Sequence, residues 1–185
     1  KRLLAVKVSN NYEKLIGSNR FFKQYQYLTA LISKEKSRLA KQKLLSSNRL
    51  KMMYNKRTTW QNNLYNNLIA KLFRVLNRND VDTIYIGNVK NIRINSDEGP
   101  LANSMLHNFW AYDKLFGKIR NLAEVNGIKV IRVDEAYSSQ TCPKCGYVDK
   151  NNRLDRLFLC QKCGFMEHRD IVGAANILSI GKYGQ

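Results

Sequence analysis

The stretch "CPKCGYVDKNNRLDRLFLCQKCGFMEHRDIVGAANIL" runs from residue 142 to residue 178 and contains all four cysteines of the chain. They form two Cys-x-x-Cys pairs, Cys142 with Cys145 and Cys160 with Cys163, and fourteen residues separate the pairs. The glycine after each pair permits a tight turn in which both thiolates face one ion. The spacing predicts a tetrahedral Zn²⁺ site with sulfurs at about 2.3 Å, and iron in a similar site is an alternative. Because protein ligands fill all four positions, this ion is structural and not catalytic.

Disulfide bonds and redox chemistry are two further interpretations of the cysteines. Paired disulfides are typical of small secreted scaffolds, but the start of the chain does not resemble a signal peptide. No cysteine lies outside the two pairs. A thioredoxin-type motif needs one Cys-x-x-Cys, whereas this chain has two matched ones. The sequence therefore favours a structural metal.

The overall charge indicates the kind of partner. Among 185 residues there are 32 Lys and Arg against 14 Asp and Glu, which gives a net charge of +18. No run of about 20 apolar residues is present, so no membrane span is predicted. A strongly basic chain that keeps its thiols reduced points to nucleic acid. We expect a cytoplasmic, intracellular and nucleoid-associated protein.

The first half of the chain predicts a β-hairpin followed by a helical hairpin. In "KRLLAVKVSNNYEKLIGS", two short apolar runs flank Asn10-Asn11, which favours two antiparallel strands and a turn. Two helical patterns then cover about residues 19–78, with a break at Ser46 to Asn48. We expect the aromatic residues of these patterns in the core, because apolar residues at helical spacing are more often interior than stacked on bases. They are Phe21, Tyr25 and Trp60.

The helical hairpin is also the most basic part of the chain. From Arg20 to Arg74 there are thirteen Lys or Arg and one acid, Glu35. A solvated helix normally mixes both signs to gain i,i+4 pairs. The run therefore favours phosphate contact, while binding to anionic lipid is an alternative that needs an uncovered apolar face. The predicted contacts are Arg20, Lys41, Lys43, Arg49 and Lys56.

The second half predicts a strand–helix–strand unit before the cysteines. Residues 81–89 and 128–134 read as buried strands, and residues 101–125 read as a helix with Met105 and Phe109 on its apolar face. This order implies a crossover and parallel pairing. A last helix is expected over residues 170–180. The fold class is α/β, with one mixed sheet that holds the hairpin strands and the parallel strands.

A resemblance to a known family rests on three runs: "AYSSQTCPKCG", "CQKCG" and "HRDIVGAANIL". They resemble the C-terminal half of the OrfB/TnpB family of transposon-encoded, RNA-guided nucleases, often labelled transposases. The resemblance implies an RNase H-like, RuvC-type mixed sheet with a long helical hairpin and an inserted zinc ribbon. It implies a nuclease domain over residues 1–137 with its hairpin at about 19–78, a ribbon over 138–167, and a C-terminal helix over 168–185. DNA and a guide RNA are the implied partners.

The resemblance also implies two-metal hydrolysis of phosphodiesters with Mg²⁺, which takes carboxylate ligands. Asp170 matches the last catalytic aspartate of the family. Taken alone, an acid in the first turn of a helix is common because it favours the helix dipole. The first catalytic aspartate of the family lies in a strand before "LLAVKVS", so we expect this chain to be a fragment that is inactive as given. By the same resemblance, we expect this chain to lack the N-terminal nucleic-acid-binding region of the family.

A further departure from the family concerns a glutamate. Many members carry it where this chain has Gly87. Glu135, at the end of "IKVIRVDE", is predicted to replace it from a neighbouring strand, while Asp134 should point to the opposite face. Alternatively, Glu135 is only a polar residue at a strand end. As a whole, the chain has a second interpretation as a non-catalytic zinc-ribbon protein, or decayed relative, that binds DNA or RNA.

Overall fold

The computed structural model describes residues 4–88 and 112–184, without the side chain of Asn19. The elements, in chain order, are β1 (Leu4–Lys7), β2 (Glu13–Ile16), α1 (Asn19–Lys41), α2 (Asn48–Arg78), β3 (Thr83–Gly87), α3 (Tyr112–Val125), β4 (Lys129–Val133), a 3₁₀ turn (Lys150–Asn152), β5 (Arg153–Leu154), β6 (Leu157–Leu159), β7 (Met166–His168) and α4 (Arg169–Tyr183). The predicted helical positions Met105 and Phe109 lie outside the described residues. No helix in the described part is long and apolar enough to cross a membrane.

The predicted β-hairpin is confirmed. Strands β1 and β2 pair antiparallel, with Leu4 opposite Ile16. At the turn, Asn11 adopts a φ of 68°, a left-handed conformation that asparagine tolerates better than most residues. The N–H of Val8 donates to the carbonyl of Tyr12 at 2.8 Å and closes the turn.

Both helices of the predicted helical hairpin begin at a serine. Ser18 accepts a hydrogen bond from the N–H of Arg20 at 3.2 Å, and Ser47 accepts one from the N–H of Leu50 at 3.1 Å. Each hydroxyl satisfies one backbone donor that the first helical turn leaves open. The break predicted around residues 46–48 is therefore the start of α2.

The contacts between α1 and α2 show that the two helices are antiparallel. Arg57 donates to the Thr29 hydroxyl at 3.2 Å, while Arg49 lies 3.7 Å from Glu35. A later residue of α1 thus meets an earlier residue of α2, so the helices are antiparallel. Glu35 is buried, and Arg38 contacts both of its carboxylate oxygens, at 2.7 and 3.1 Å. The single acid of the basic run therefore holds the hairpin tip together.

The apolar faces of the helical hairpin form most of the core, as the sequence predicts. Tyr25 is buried, and Phe21 and Trp60 pack against the same cluster. Helix α3 joins this cluster through Leu115 and Ile119. The other buried members belong mainly to α2: Leu64, Tyr65, Leu68, Ile69, Leu72, Phe73 and Leu76.

Strands β3 and β4 pair in parallel, as the crossover rule predicts. Thr83 lies opposite Lys129, and Gly87 lies opposite Val133. Between them α3 ends at an Asn-Gly pair, where Gly127 has a φ of 67° and turns the chain into β4.

The prediction of one mixed sheet is wrong for the described residues. They form three separate sheets: β1–β2, β3–β4, and β5–β6–β7. The first two face each other across a cavity of about 730 Å³ that β1 and β3 both line. Helix α4 contacts both β1 and β3, and Gly181 allows close approach because a Cβ there would overlap the Tyr85 ring.

Candidate metal centres and nucleic-acid interface

The four cysteine sulfurs gather at one point. The Sγ atoms of Cys142 and Cys163 are 3.7 Å apart, and those of Cys145 and Cys160 are 3.6 Å apart. All four lie within 4.8 Å of one another, and none forms a disulfide. A tetrahedron with metal–sulfur distances of about 2.3 Å has edges of about 3.8 Å. The geometry therefore fits a four-sulfur metal site, and it does not support the disulfide interpretation.

Each cysteine pair is held by the same backbone hydrogen bonds. The N–H of Gly146 donates to the carbonyl of Cys142 at 2.9 Å, and the N–H of Gly164 donates to that of Cys160 at 3.0 Å. Both glycines adopt a positive φ, 72° and 69°, which a residue with a Cβ rarely does. The two turns are thus copies of one structure that presents two thiols to the same point.

The surroundings of the thiols differ in their effect on protonation. Burial raises the pKa of Cys142 to about 12. Burial also acts on Cys160, but hydrogen bonds from the backbone N–H groups of Cys163 and Lys162 lower its pKa to about 7. Because a metal needs thiolates, binding at this cluster must release protons and weaken as the pH falls.

A buried asparagine that the sequence did not indicate links the two cysteine turns. Asn152 is fully buried, and its side-chain amide donates to the carbonyl of Gln140 at 2.9 Å. Its side-chain oxygen accepts a hydrogen bond from the N–H of Gln161 at 3.0 Å. Asn152 thereby ties the segment before the first pair to the second pair. Its position in the polar run "DKNNR" resembles an exposed turn, so the sequence held no signal for this role.

The cysteine segment packs on the last helix. Val172 of α4 belongs to one buried cluster with Cys142, Cys160 and Phe158. The side-chain amide of Asn176, one turn further along α4, donates to two backbone carbonyls, Ser138 at 2.6 Å and Thr141 at 2.8 Å. The helix that carries Asp170 and the cysteine segment therefore share an interior, so each fixes the position of the other.

Asp170 occupies the first turn of α4, as predicted. Its backbone N–H donates to Nδ1 of His168 at 3.2 Å, so His168 caps the helix. The Asp170 carboxylate is 43% exposed and lies 3.9 Å from the same nitrogen. An exposed acid at a helix start suits the helix dipole and can also take a cation from solvent.

Glu135 lies directly over Gly87. A Cβ built at Gly87 would overlap the Glu135 carboxylate and would lie 3.0 Å from Ile177 of α4. Position 87 must therefore lack a side chain for Glu135 to adopt this conformation. The neighbouring Asp134 is exposed, and its carboxylate accepts a hydrogen bond from the N–H of Ala136 at 3.0 Å.

The environment of Glu135 is partly apolar. Burial raises the pKa of its carboxyl above the ordinary value, and the negative charge of Asp134 raises the pKa further. No hydrogen bond to this carboxylate exists among the residues that the structure describes. A cation that bound here would offset both effects.

Glu135 lines the cavity between β1 and β3, whereas Asp170 is not among the residues that line it. Ile177, the α4 residue next to Gly87, follows Asp170 by seven residues, which is about 10 Å along the helix axis. In the described ranges, the four cysteines are the sole group of three or more ligand side chains close enough to share an ion. Among the described residues, the structure thus places Glu135 at the cavity and Asp170 further along α4, and it does not bring the two acids together at one ion.

The cavity lies between two strand edges that have no partner strand among the described residues. Because Val8 pairs with Tyr12, alternation along β1 points the backbone groups of Ala5 and Lys7 away from β2. The N–H of Lys129 donates to the carbonyl of Asp82, so the odd-numbered residues of β3 point away from β4. Both open edges line the cavity, and apolar residues of α2 and α4 cover it on either side.

The five cations predicted to contact nucleic acid are all exposed, but they do not form one patch. Lys41, Lys43 and Arg49 lie at the hairpin tip, whereas Arg20 lies at the far end of α1, about 30 Å away. Lys56 lies between them on α2. Arg49 also faces the carboxylate of Glu35 at 3.7 Å, so part of its charge is already balanced.

Comparison with known proteins gives the family. The family model OrfB_IS605, described as "Probable transposase", matches residues 1–93, which is half of the chain. The chain belongs to the OrfB_IS605 family. A second model, "Cas12f1-like, TNB domain", matches residues 112–177, which include all four cysteines and Asp170. The family resemblance of the sequence is thus confirmed in both halves.

Individual relatives are longer proteins. The CRISPR-associated endodeoxyribonuclease Cas12f1 of Sulfoacidibacillus thermotolerans is 38% identical over 96 residues, which cover 51% of this chain and 21% of that protein. The TnpB-like protein ORF457 of Acidianus two-tailed virus is 37% identical over 117 residues, 62% of this chain and 24% of that protein. The chain therefore spans about a fifth to a quarter of the length of these two relatives.

A solved structure shares the fold. The cryo-EM structure of a CRISPR-Cas12f ternary complex superposes with a TM-score of 0.70 and 22% identity, over 94% of this chain and 37% of that one. The chain thus has an α/β, Cas12f-like fold with a four-cysteine cluster.

Proposed function

We propose that this chain is the C-terminal part of a transposon-associated, RNA-guided DNA endonuclease that hydrolyses phosphodiesters with Mg²⁺. The observation behind this proposal is that Gly87 leaves room for the Glu135 carboxylate at the strand end where the family resemblance implies an acid. The names of two relatives support the reaction class, since one is an endodeoxyribonuclease and one is TnpB-like. A solved complex of Cas12f1 with single-guide RNA and target DNA supports guide RNA and DNA as partners.

We assign three units to the chain: a RuvC-type, RNase H-like nuclease domain over residues 1–137, a zinc ribbon over 138–167, and a helix over 168–185 that returns to the nuclease domain. The ribbon would hold one structural Zn²⁺ on Cys142, Cys145, Cys160 and Cys163. The sulfur separations of 3.6 and 3.7 Å support this assignment. Because Val172 packs among these cysteines, the ion would also fix α4 and Asp170.

Glu135 and Asp170 are assigned to the catalytic site. Mg²⁺, when bound, would activate water and neutralise charge on the leaving oxygen. Glu135 approaches from the end of β4 and is half-buried, which weakens the screening of its charge by water. Asp170 approaches from the start of α4 and is open to solvent. Asp170 lies about 10 Å along the α4 axis from Ile177, the residue next to Gly87. Both acids can therefore serve one metal centre only with further ligands or after a small movement of α4.

We propose that a strand before Leu4 supplies the first catalytic aspartate that the family resemblance implies. The cavity of about 730 Å³ between β1 and β3 has an open strand edge on each side and an apolar lining, so it suits an inserted strand. An acid at the end of such a strand would lie beside Gly87 and Glu135.

Nucleic acid is assigned to the basic face of the helical hairpin. Arg20, Lys41, Lys43 and Lys56 are exposed and have no acidic partner within ion-pair distance in the described residues. Each phosphate that they neutralise on duplex DNA contributes a slope of about −0.9 in log K against log salt. Reversal of these four charges is expected to weaken binding and flatten this slope.

The test uses the complete protein, assembled with its guide RNA, and measures Mg²⁺-dependent cleavage of a matched DNA duplex. Glu135→Gln and Asp170→Asn are each expected to lower the cleavage rate at least a hundredfold while DNA binding is retained. Asp134→Asn is the matched control, because Asp134 is the adjacent acid and is exposed. Cleavage at the normal rate in either test variant would remove that acid from the site. DNA binding without cleavage by the unchanged complete protein would favour the non-catalytic zinc-ribbon binder instead.

A further inference from the structure

A second concave surface lies on the outer side of the β-hairpin, away from the cavity between the strand edges. It is a cavity of about 570 Å³ bounded by β2, the start of α1 and the last two turns of α2. Four cations line it: Lys14 from β2, and Lys71, Arg74 and Arg78 from α2. We call this surface the basic pocket. None of its four cations belongs to the contacts predicted from the sequence.

The cations of the basic pocket converge although they come from distant parts of the chain. Lys71, Arg74 and Arg78 recur at steps of three and four, so they share one face of α2. Strand β2 brings Lys14 to the same pocket from 57 residues earlier. All four side chains are exposed, and no acidic residue lines the pocket.

The positive charges of the basic pocket are not balanced by acidic side chains in the described part of the protein. No carboxylate there lies within 4.0 Å of the four charged groups. The nearest acid in β2, Glu13, is engaged by Lys7 at 2.9 Å. Like charges three and four residues apart on a helix are unfavourable. A ligand that supplies negative charge would remove this repulsion.

The remaining walls indicate what the ligand carries besides charge. Phe21 and Leu15 line the pocket and provide apolar surface beside the cations. The strand alternation that pairs Lys14 with Val6 turns the backbone N–H of Leu15 to the open edge of β2, where it can donate to an oxygen. Cations, one backbone donor and an aromatic ring together suit phosphates that are attached to sugars and bases.

We propose that the basic pocket binds the sugar–phosphate backbone of a nucleic-acid strand, as a contact separate from the hairpin tip. The proposal rests on the proposed function in taking nucleic acid as the partner, but it concerns a different surface. Arg74 and Arg78 would each donate two hydrogen bonds to phosphate oxygens, Lys14 and Lys71 would act as point charges, and Phe21 would contact a sugar or base. The basic pocket is lined by β2, whereas the cavity beside Glu135 is lined by β1, and the two share no lining residue. A strand bound in the basic pocket would therefore lie outside the cavity beside Glu135.

The test compares two variants of equal net charge. One carries Lys71→Gln, Arg74→Gln and Arg78→Gln in the basic pocket. The control carries Lys114→Gln, Arg120→Gln and Lys129→Gln, three exposed cations of α3 and β4 that lie outside the pocket. The probe is a fluorescently labelled oligothymidylate of about 20 nucleotides, long enough for several phosphate contacts, and its affinity is measured across a salt series.

The pocket variant is expected to reduce the magnitude of the salt slope by about 2, since each phosphate contact on a single strand contributes about 0.7. The control variant is expected to change the slope by less than half of that amount. Equal losses in both variants would show that net charge alone decides binding, and an unchanged slope in the pocket variant would likewise overturn the proposal. If reversal of the hairpin charges abolishes binding while the pocket variant binds normally, the proposal fails and the proposed function stands. If the unchanged protein does not bind the probe at any salt concentration, the pocket proposal fails, while the proposed function is decided by the cleavage assay with guide RNA.

A second measurement avoids substitutions. Lysine acetylation is followed by mass spectrometry in the presence and absence of the probe. Lys14 and Lys71 are expected to be protected several-fold, and Lys114 and Lys129 are expected to react at the same rate in both samples. Acetylation of Lys14 and Lys71 at unchanged rates under saturating probe would overturn the proposal.

Discussion

Asn176 offers a direct test of the coupling between the last helix and the cysteine segment. Its side chain is 7% exposed, and its amide donates to the carbonyls of Ser138 and Thr141 at 2.6 and 2.8 Å. Asn176→Ala removes both hydrogen bonds and leaves two carbonyls without a protein partner. Each such carbonyl costs about 1–3 kcal/mol when buried. Thr141 is only half-buried and can recruit water, so a total loss of about 2–4 kcal/mol is expected.

For a chain of this size, 1 kcal/mol corresponds to about 2–4 °C in Tm. Asn176→Ala is therefore expected to lower the Tm of zinc-loaded protein by about 5–15 °C in a thermal unfolding experiment. Hydrogen exchange should become faster in residues 138–142, while zinc content stays unchanged because the four cysteines are intact.

Asn121→Ala is the control, because Asn121 is an exposed helical asparagine of α3. It is expected to leave the Tm within about 2 °C of the starting value. A Tm of Asn176→Ala that matches this control would refute the claim that α4 holds the cysteine segment through Asn176.

Three further predictions concern the metal, the helix packing and the open strand edges. Cys160→Ser is expected to reduce bound zinc from one equivalent to less than about half an equivalent, measured by elemental analysis of reduced, metal-replete protein. A full equivalent of zinc in this variant would contradict ligation by four sulfurs. Gly181→Ala is expected to lower the Tm by about 3–10 °C, because its Cβ would overlap the Tyr85 ring. Gly173→Ala in the same helix is the control, because a Cβ there meets open space and should not lower the Tm. Equal Tm values for both variants would argue against this packing. Addition of the strand that we propose before Leu4 is expected to raise the Tm and to protect the amides of Ala5 and Tyr85 from hydrogen exchange. Unchanged exchange at both amides would show that the strand does not enter the cavity.

Features set by short-range patterns were predictable from the sequence. The cysteine pairs each contain their turn and their glycine within five residues, so the local sequence already places two thiols together. The faces of α1 and α2 follow from helical spacing, and Tyr25 and Trp60 lie where that spacing puts them. The parallel pairing of β3 with β4 follows from the strand–helix–strand order.

Features that depend on distant residues were not predictable. The burial of Asn152 results from hydrogen bonds to two segments that the cysteines bring together, and polar composition gives no sign of it. The separation of β1–β2 from β3–β4 depends on what lies between them, and no property of either pair reveals it. The basic pocket combines Lys14 with cations of α2 that are far away in the sequence, so a count of charge along the chain could not locate it.

Exchange of the residues at positions 87 and 135 tests whether the acid over Gly87 takes part in DNA cleavage. In the complete protein, Glu135→Gly removes the carboxylate, and the double variant Gly87→Glu with Glu135→Gly returns one from the neighbouring strand into the space that was vacated. Mg²⁺-dependent DNA cleavage is measured for both, with binding of DNA as the control for folding. The account predicts that Glu135→Gly loses cleavage at least a hundredfold and that the double variant regains at least a tenth of the original rate. Full cleavage by Glu135→Gly would contradict the account, because the acid over Gly87 would then have no part in the reaction.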